Sequence, residues 1–267
     1  MKRQRNVRES LAVLLRALKL PSFVALYAEA AEQAEKKGWS FETYLHYLAS
    51  AELEDRKLRR IARNLKRADF PEGKTLATLK QAKLPVKIRR QLPRLCEGDF
   101  VERAENVLAF GLPGRGKTHL LCAIASELVQ RGYKVLFTAA YQLVQRLLVA
   151  KRELALEALL RRLDRHDVVL VDDIGYIQQD REEMEVLFTF LSQRYERRSV
   201  MITSNLVFSQ WDRIFKDPMT TAAAIDRVVH HSTILELTGP SIRNEEAAQR
   251  NRETSRKPPK PKPKEDE

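Results

Sequence analysis

Cysteine is nearly absent, with only Cys96 and Cys122 among 267 residues. Two thiols at this separation build no disulfide framework and have no metal-ligand spacing. Long apolar runs are also missing, and none approaches the roughly 18–20 residues of a membrane span. The opening MKRQRNVRESLAVLLRALKL is apolar in places, but Arg16 and Lys19 interrupt it and no small-residue cleavage site follows, which argues against a secretory signal. No internal repeat is present. The default expectation is a soluble intracellular protein without a membrane partner.

Acidic residues are scarce in one stretch. Residues 56–94 carry 14 Lys and Arg but only Asp69 and Glu72. Residues 1–100 are net +10, residues 101–247 net −1 and residues 248–267 net +3. A neutral middle with basic flanks suggests that the middle performs chemistry while the ends meet a polyanion, most often nucleic acid.

Hydrophobic residues make up 43% of the chain, enough for a sizeable core. Leu11, Leu14, Leu15 and Leu18 recur at helical spacing. So do Val24, Tyr27, Ala28 and Ala31, and then Phe41, Tyr44, Leu45 and Leu48. Pro21 is placed to start the second helix, Gly38 to end it, and Ser40 to cap the third. That third helix is expected to run from Phe41 to about Ala68. Its basic half offers Arg56, Lys57, Arg59, Arg60, Arg63, Lys66 and Arg67 as DNA-binding candidates. The expected organisation is a basic helical domain over 1–70, a basic linker over 71–99, a catalytic domain over 100–243, and a disordered Pro/Lys-rich tail over 244–267.

The strongest signal lies in the middle. Asn106–Phe110 is a short apolar run, and Gly111-Leu112-Pro113-Gly114-Arg115-Gly116-Lys117-Thr118 fully matches G-x-x-x-x-G-K-[ST]. A helix with Leu120, Leu121, Ile124 and Leu128 follows. In such a P-loop, glycines let main-chain N–H groups face phosphates. Lys117 then reaches the β- and γ-phosphates of ATP, and the Thr118 hydroxyl ligates Mg²⁺. The run Val168–Val171 reads as a strand buried on both faces, and it ends in Asp172 and Asp173. Asp172 is the candidate for Mg²⁺, and Asp173 for orienting or deprotonating the attacking water. Lys134–Ala139, Ser199–Thr203 and Ser232–Leu237 read as further strands. Tyr141–Leu163 reads as one helix, and Met184, Leu187, Phe188 and Leu191 mark another. Asn205, just after a strand, is a candidate for holding the lytic water. The alternation gives an α/β fold, a doubly wound parallel sheet preceded by a small all-α domain. His230 and His231 are assigned to packing or the surface.

The segments GLPGRGKTHL, VVLVDDIGY, MITSNLVFSQW and AAAIDRVVHHSTILELTG together resemble the IstB family of insertion-sequence transposition helpers. That family is related to the helicase loader DnaC among the AAA+ P-loop NTPases, and the resemblance spans about residues 10–245. It implies ATP hydrolysis with Mg²⁺ in the bacterial cytoplasm, a homo-oligomer on double-stranded DNA, and a transposase partner of the same insertion sequence, IstA-like. It also implies that Asn205 is a sensor residue, Arg227 an arginine finger acting in trans, and Arg243 a second sensor arginine. Two departures stand out. Asp173 occupies the place where such proteins generally carry Glu, and few residues follow Leu237 to build a helical lid. Adenine recognition is therefore expected from the linker side, near Phe100–Asn106. The alternatives are a DnaC-type helicase loader, a small-molecule P-loop kinase and a nucleotide-binding scaffold that barely hydrolyses.

Overall fold

The computed structural model describes residues 2–176, 181–206, 228–239 and 241–242. By its internal contacts the chain divides into two units, Met1–Asn64 and Leu65–Glu267.

The first unit is helical. Helix α1 spans Lys2–Ala17, α2 spans Pro21–Lys37, and α3 spans Phe41–Ala68 and continues into the second unit. Pro21 occupies the first turn of α2, where a missing N–H costs nothing, and Gly38 closes it in the left-handed conformation. Ser40 caps α3 by accepting the Thr43 N–H at 3.2 Å. The buried Glu52 carboxylate accepts the Ser22 N–H at 2.8 Å and the Arg56 Nε–H at 2.7 Å, tying α2 to α3.

The second unit is a five-stranded parallel sheet in the order β2-β3-β4-β1-β5. Its strands are β1 (Asn106–Phe110), β2 (Val135–Ala139), β3 (Val168–Asp172), β4 (Ser199–Ser204) and β5 (Ser232–Glu236). Side-chain alternation sends Val107 and Ala109 of β1 to one face, and Leu108 and Phe110 to the other. The first face is covered by α4 (Val86–Glu97) and α6 (Lys117–Gln130). The second is covered by α7 (Ala140–Arg152), α8 (Leu156–Leu163) and α9 (Arg181–Arg194). A short helix, α5 (Asp99–Glu102), precedes β1. The buried Asn106 amide pins β1 between its neighbours, accepting the Val200 N–H at 2.9 Å and donating to Val228 O at 3.1 Å.

Two expectations change. Residues 71–99, expected as a basic linker, carry the packed helix α4. Leu84, Ile88, Leu92, Leu95 and Cys96 are buried against the sheet and α6, because the basic residues of α4 occupy only its outer face. The single helix expected over Tyr141–Leu163 is two, broken where Leu154 adopts φ 56°. The turn lets both Leu147 and Leu160 reach one core.

Candidate functional site

The C-terminal ends of β1, β3 and β4 converge on one cavity of about 330 Å³. Gly111–Gly116 forms the loop between β1 and α6, and the Leu120 N–H bonds Gly116 O at 2.9 Å to start the helix. Gly116 has φ 86°, which suits a residue without Cβ. At Gly111 a Cβ would come within 2.5 Å of Leu237 O, so only glycine fits beside the end of β5. Lys117 is 5% exposed, and its ammonium donates to Gly111 O at 2.7 Å and Leu112 O at 3.2 Å. The charge is therefore already folded over the loop. Pro113, Gly114, Gly116, Lys117 and Thr118 line the cavity. Arg115 turns away and donates to Leu237 O at 3.1 Å, and the Leu112 side chain is exposed.

Asp173 and Asn205 line the same cavity. Asp173 leaves β3 with φ 59°. The Thr203 hydroxyl accepts its main-chain N–H at 2.7 Å and donates to Asp172 Oδ1, also at 2.7 Å. Asn205 Oδ1 is buried and makes no hydrogen bond among the described residues. It packs so closely on Gly175 that no Cβ fits there. A buried amide oxygen without a protein partner is costly.

These donors fit a triphosphate and a hard divalent cation. The helix N-terminus, the glycine-lined loop and Lys117 suit phosphate oxygens, while the Thr118 hydroxyl and Asp172 carboxylate suit Mg²⁺. Among the described residues no cluster of three His, Cys, Asp or Glu side chains forms a metal centre of its own. Burial pushes the Cys96 thiol up to about 11 and the Cys122 thiol up to about 12, so neither is a ready nucleophile.

The wall contributed by the segment expected as a linker was legible in the sequence only as a region, not residue by residue. It consists of Lys74, Thr78, Leu79, Lys80 and Leu84, while Ile242 packs on the phosphate loop, its N–H donating to Gly114 O at 3.0 Å. His119, on the first turn of α6, anchors that wall through Nε2, 3.1 Å from Thr78 Oγ1 and 3.2 Å from Thr75 O. The expectation of a base-binding region near Phe100–Asn106 is corrected. Phe100 is 3% exposed in the core and Asn106 is committed to β4 and Val228. Arg227 and Arg243 lie outside the described residues. His231 is partly exposed, 3.7 Å from Glu196, and His230 packs on it with ring centroids 4.2 Å apart.

The DNA-binding candidates separate into two groups on α3. Arg56 and Arg59 are paired with Glu52 and Asp55, and Lys57 is 3.9 Å from Glu54. Arg60, Arg63, Lys66 and Arg67 are exposed and form no ion pair among the described residues. No helix of the described residues is long and apolar enough to cross a membrane.

The family model described as IstB-like ATP binding protein matches residues 13–250. An insertion sequence ATP-binding protein of Sinorhizobium fredii is 42% identical over 247 residues, covering 92% of this chain and 83% of that protein. The insertion sequence IS21 ATP-binding protein of Pseudomonas aeruginosa is 37% identical over 236 residues, covering 88% of this chain and 89% of that one. Among solved structures, DnaI is similar in fold, with a TM-score of 0.53, 22% identity, and coverage of 64% of this chain and 95% of that one. AMPPCP-bound DnaA from Aquifex aeolicus gives a TM-score of 0.51 at 18% identity, over 72% of this chain and 59% of that one. The sheet order, the P-loop and the match over residues 13–250 lead to one assignment: the chain belongs to the family of IstB-like ATP-binding proteins, and its parallel sheet is similar in fold to DnaI and DnaA.

Proposed function

We propose that this protein is an ATP-hydrolysing, DNA-associated helper that oligomerises on double-stranded DNA and recruits or activates the transposase of its insertion sequence. One observation carries the hydrolytic part: the phosphate loop, Asp173 and Asn205 line a single cavity. A carrier of nucleotide alone has no need for this second set.

ATP would place its phosphates along Gly111–Thr118 and its base against Leu79 and Leu84. Lys117 exchanges its two loop carbonyls for phosphate oxygens. The Thr118 hydroxyl and the Asp172 carboxylate would hold Mg²⁺, which would supply charge neutralisation at the phosphates. Asn205 orients a water, and the Asp173 carboxylate takes its proton. The water oxygen bonds the γ-phosphorus as the bridging bond to the β-phosphate breaks. Asp is one methylene shorter than Glu, so a slow turnover suited to a timer or switch is expected. Arg227 is proposed to reach a neighbouring protomer's nucleotide, and Arg243 to contact the nucleotide of its own chain. A planar guanidinium suits a γ-phosphate at either place. The relatives named for insertion sequences motivate the transposition role. Arg60, Arg63, Lys66 and Arg67 provide an exposed basic stripe for phosphodiester contacts.

The test combines purified protein, ATP, Mg²⁺ and duplex DNA, with and without a transposase of the same insertion sequence. Phosphate release that rises with DNA, together with ATP-dependent co-elution of the transposase, supports the reading. Absence of both overturns it.

A further inference from the structure

Of the polar side chains at the C-terminal end of β4, Thr203 lies within the strand and Asn205 just after it, and of these two only Asn205 has a role in the mechanism above. The other, Thr203, is fully buried. Its Oγ1 accepts the Asp173 N–H and donates to Asp172 Oδ1, each at 2.7 Å. The β3–β4 register runs from Val168 opposite Ser199 to Val171 opposite Ile202. Thr203 comes next along β4, so a side chain takes over where the main-chain pairing ends. Asp173 then turns into the left-handed region at φ 59°, a conformation that for a non-glycine residue needs outside support.

Packing alone does not call for a hydroxyl here. Valine has nearly the same shape and suits a buried strand at least as well. A hydroxyl at zero exposure is tolerable only because both its proton and a lone pair are used. It uses them on the two residues to which the hydrolytic reading gives the cation and the water. Asp172 Oδ1 is engaged by Thr203, while Oδ2 accepts no hydrogen bond among the described residues. The carboxylate is thereby fixed with one oxygen directed to protein and one available to a cation.

We infer that Thr203 is a positioning residue for hydrolysis. It orients the Asp172 carboxylate toward Mg²⁺ and clamps the Asp173 main chain so that the neighbouring carboxylate faces the cavity. It touches neither nucleotide nor cation and acts through the two aspartates. This rests on the reading of the β3 end as the cation and water site of an ATPase.

The full chain is compared with Thr203→Val and Thr203→Ser by three readouts. The first is amide exchange at Asp173 in the nucleotide-free chain. The second is the Mg²⁺ dependence of binding to a fluorescent non-hydrolysable ATP analogue, and the third is steady-state kcat and KM. Loss of a hydrogen bond to a charged group should raise the Mg²⁺ midpoint about tenfold in Thr203→Val and lower kcat by about ten- to a hundredfold, with KM nearly unchanged. Analogue affinity without Mg²⁺ should stay within about twofold, because the phosphate loop is untouched. Asp173 exchange should accelerate in Thr203→Val and not in Thr203→Ser, which should also recover the Mg²⁺ midpoint and kcat.

A Thr203→Val chain with the Mg²⁺ midpoint and kcat of the parent overturns the inference. So does a Thr203→Ser chain as defective as Thr203→Val, since that assigns the loss to the missing methyl. A parent chain without ATPase activity overturns the hydrolytic reading instead, and the exchange and Mg²⁺ readouts still decide the role of Thr203. Should Thr203→Val not fold, Thr203→Ala is read by the same criteria.

Discussion

Lys117 sits at the first turn of α6 with its ammonium held by Gly111 O and Leu112 O. Those carbonyls keep a buried charge satisfied and aimed at the loop, so phosphate binding needs only an exchange of partners. Lys117→Ala removes the main positive charge facing the phosphates, and titration calorimetry should detect no ATP binding at concentrations where the parent saturates. If Asp173 is the base, as proposed, Asp173→Asn keeps the phosphate loop and removes only that carboxylate. Its ATP affinity should match the parent while turnover falls by about 10²–10⁴-fold. Arg194 is different: it is 1% exposed, far from the cavity, and donates to Leu163 O, His166 O, Asp167 O and Ser199 O. Burial lowers its pKa to about 10, which still leaves it charged at neutral pH. It joins the end of α8 to the starts of β3 and β4, a task the sequence alone gave no reason to assign. Arg194→Ala strands those carbonyls and should cost about 3–5 kcal/mol in denaturant unfolding, with no rescue by Lys, which lacks the planar fork.

Helix α3 reconciles a basic composition with a folded interior by pairing its charges along one part and leaving them open along another. Arg56 and Arg59 serve Glu52 and Asp55, whereas Arg60, Arg63, Lys66 and Arg67 are exposed and form no ion pair among the described residues. If the open group contacts phosphates, replacing all four by Ala should weaken duplex binding. It should also flatten the salt dependence by about 0.9 per lost contact. Arg56→Ala should instead lower stability and leave that slope alone. Burial raises the Glu52 pKa, but Arg56 and the Ser22 N–H outweigh it, and the net value lies below the ordinary 4.5. A depressed carboxylate stabilises the fold above its unfolded pKa and loses that contribution as pH falls through its folded pKa. Thermal melting followed by circular dichroism should show α2 and α3 weakening in acid, and Glu52→Gln should shrink the difference between neutral and acidic melts.

For the whole molecule, assembly and hydrolysis are one question. If Arg227 completes a neighbour's site, each protomer supplies a phosphate cradle on one side and a finger on the other. Arg227→Ala should keep nucleotide binding and lose turnover, because the charge is needed at the transition state. Mixing it with Lys117→Ala should restore ATPase activity above the sum of the two, since one shared interface then holds an intact cradle and an intact finger. Mixed oligomers that stay inactive would assign Arg227 a structural role beside Asp226.

The sequence by itself determined the phosphate loop, the acidic strand end and the parallel α/β fold. A P-loop binds through contiguous main chain, so residues 111–118 carry their geometry locally, and an apolar run ending in two acids marks a buried strand. The helical opening was equally legible, because Pro21, Gly38 and Ser40 act on their own turns. Tertiary structure alone decided what depends on distant neighbours. Thr203 gains meaning only because β4 lies beside β3, some thirty residues away in sequence. The wall from Lys74 to Leu84 lines the same cavity as the phosphate loop because α4 buries its apolar face on α6, a packing that its basic composition concealed. The break at Leu154 carries no glycine or proline to announce it; core packing on both sides imposes it. Likewise, a row of arginines reads as one basic surface until Glu52 and Asp55 are seen to claim two of them. Local backbone chemistry is written in contiguous residues, whereas side-chain partnership is set by which elements the core brings together.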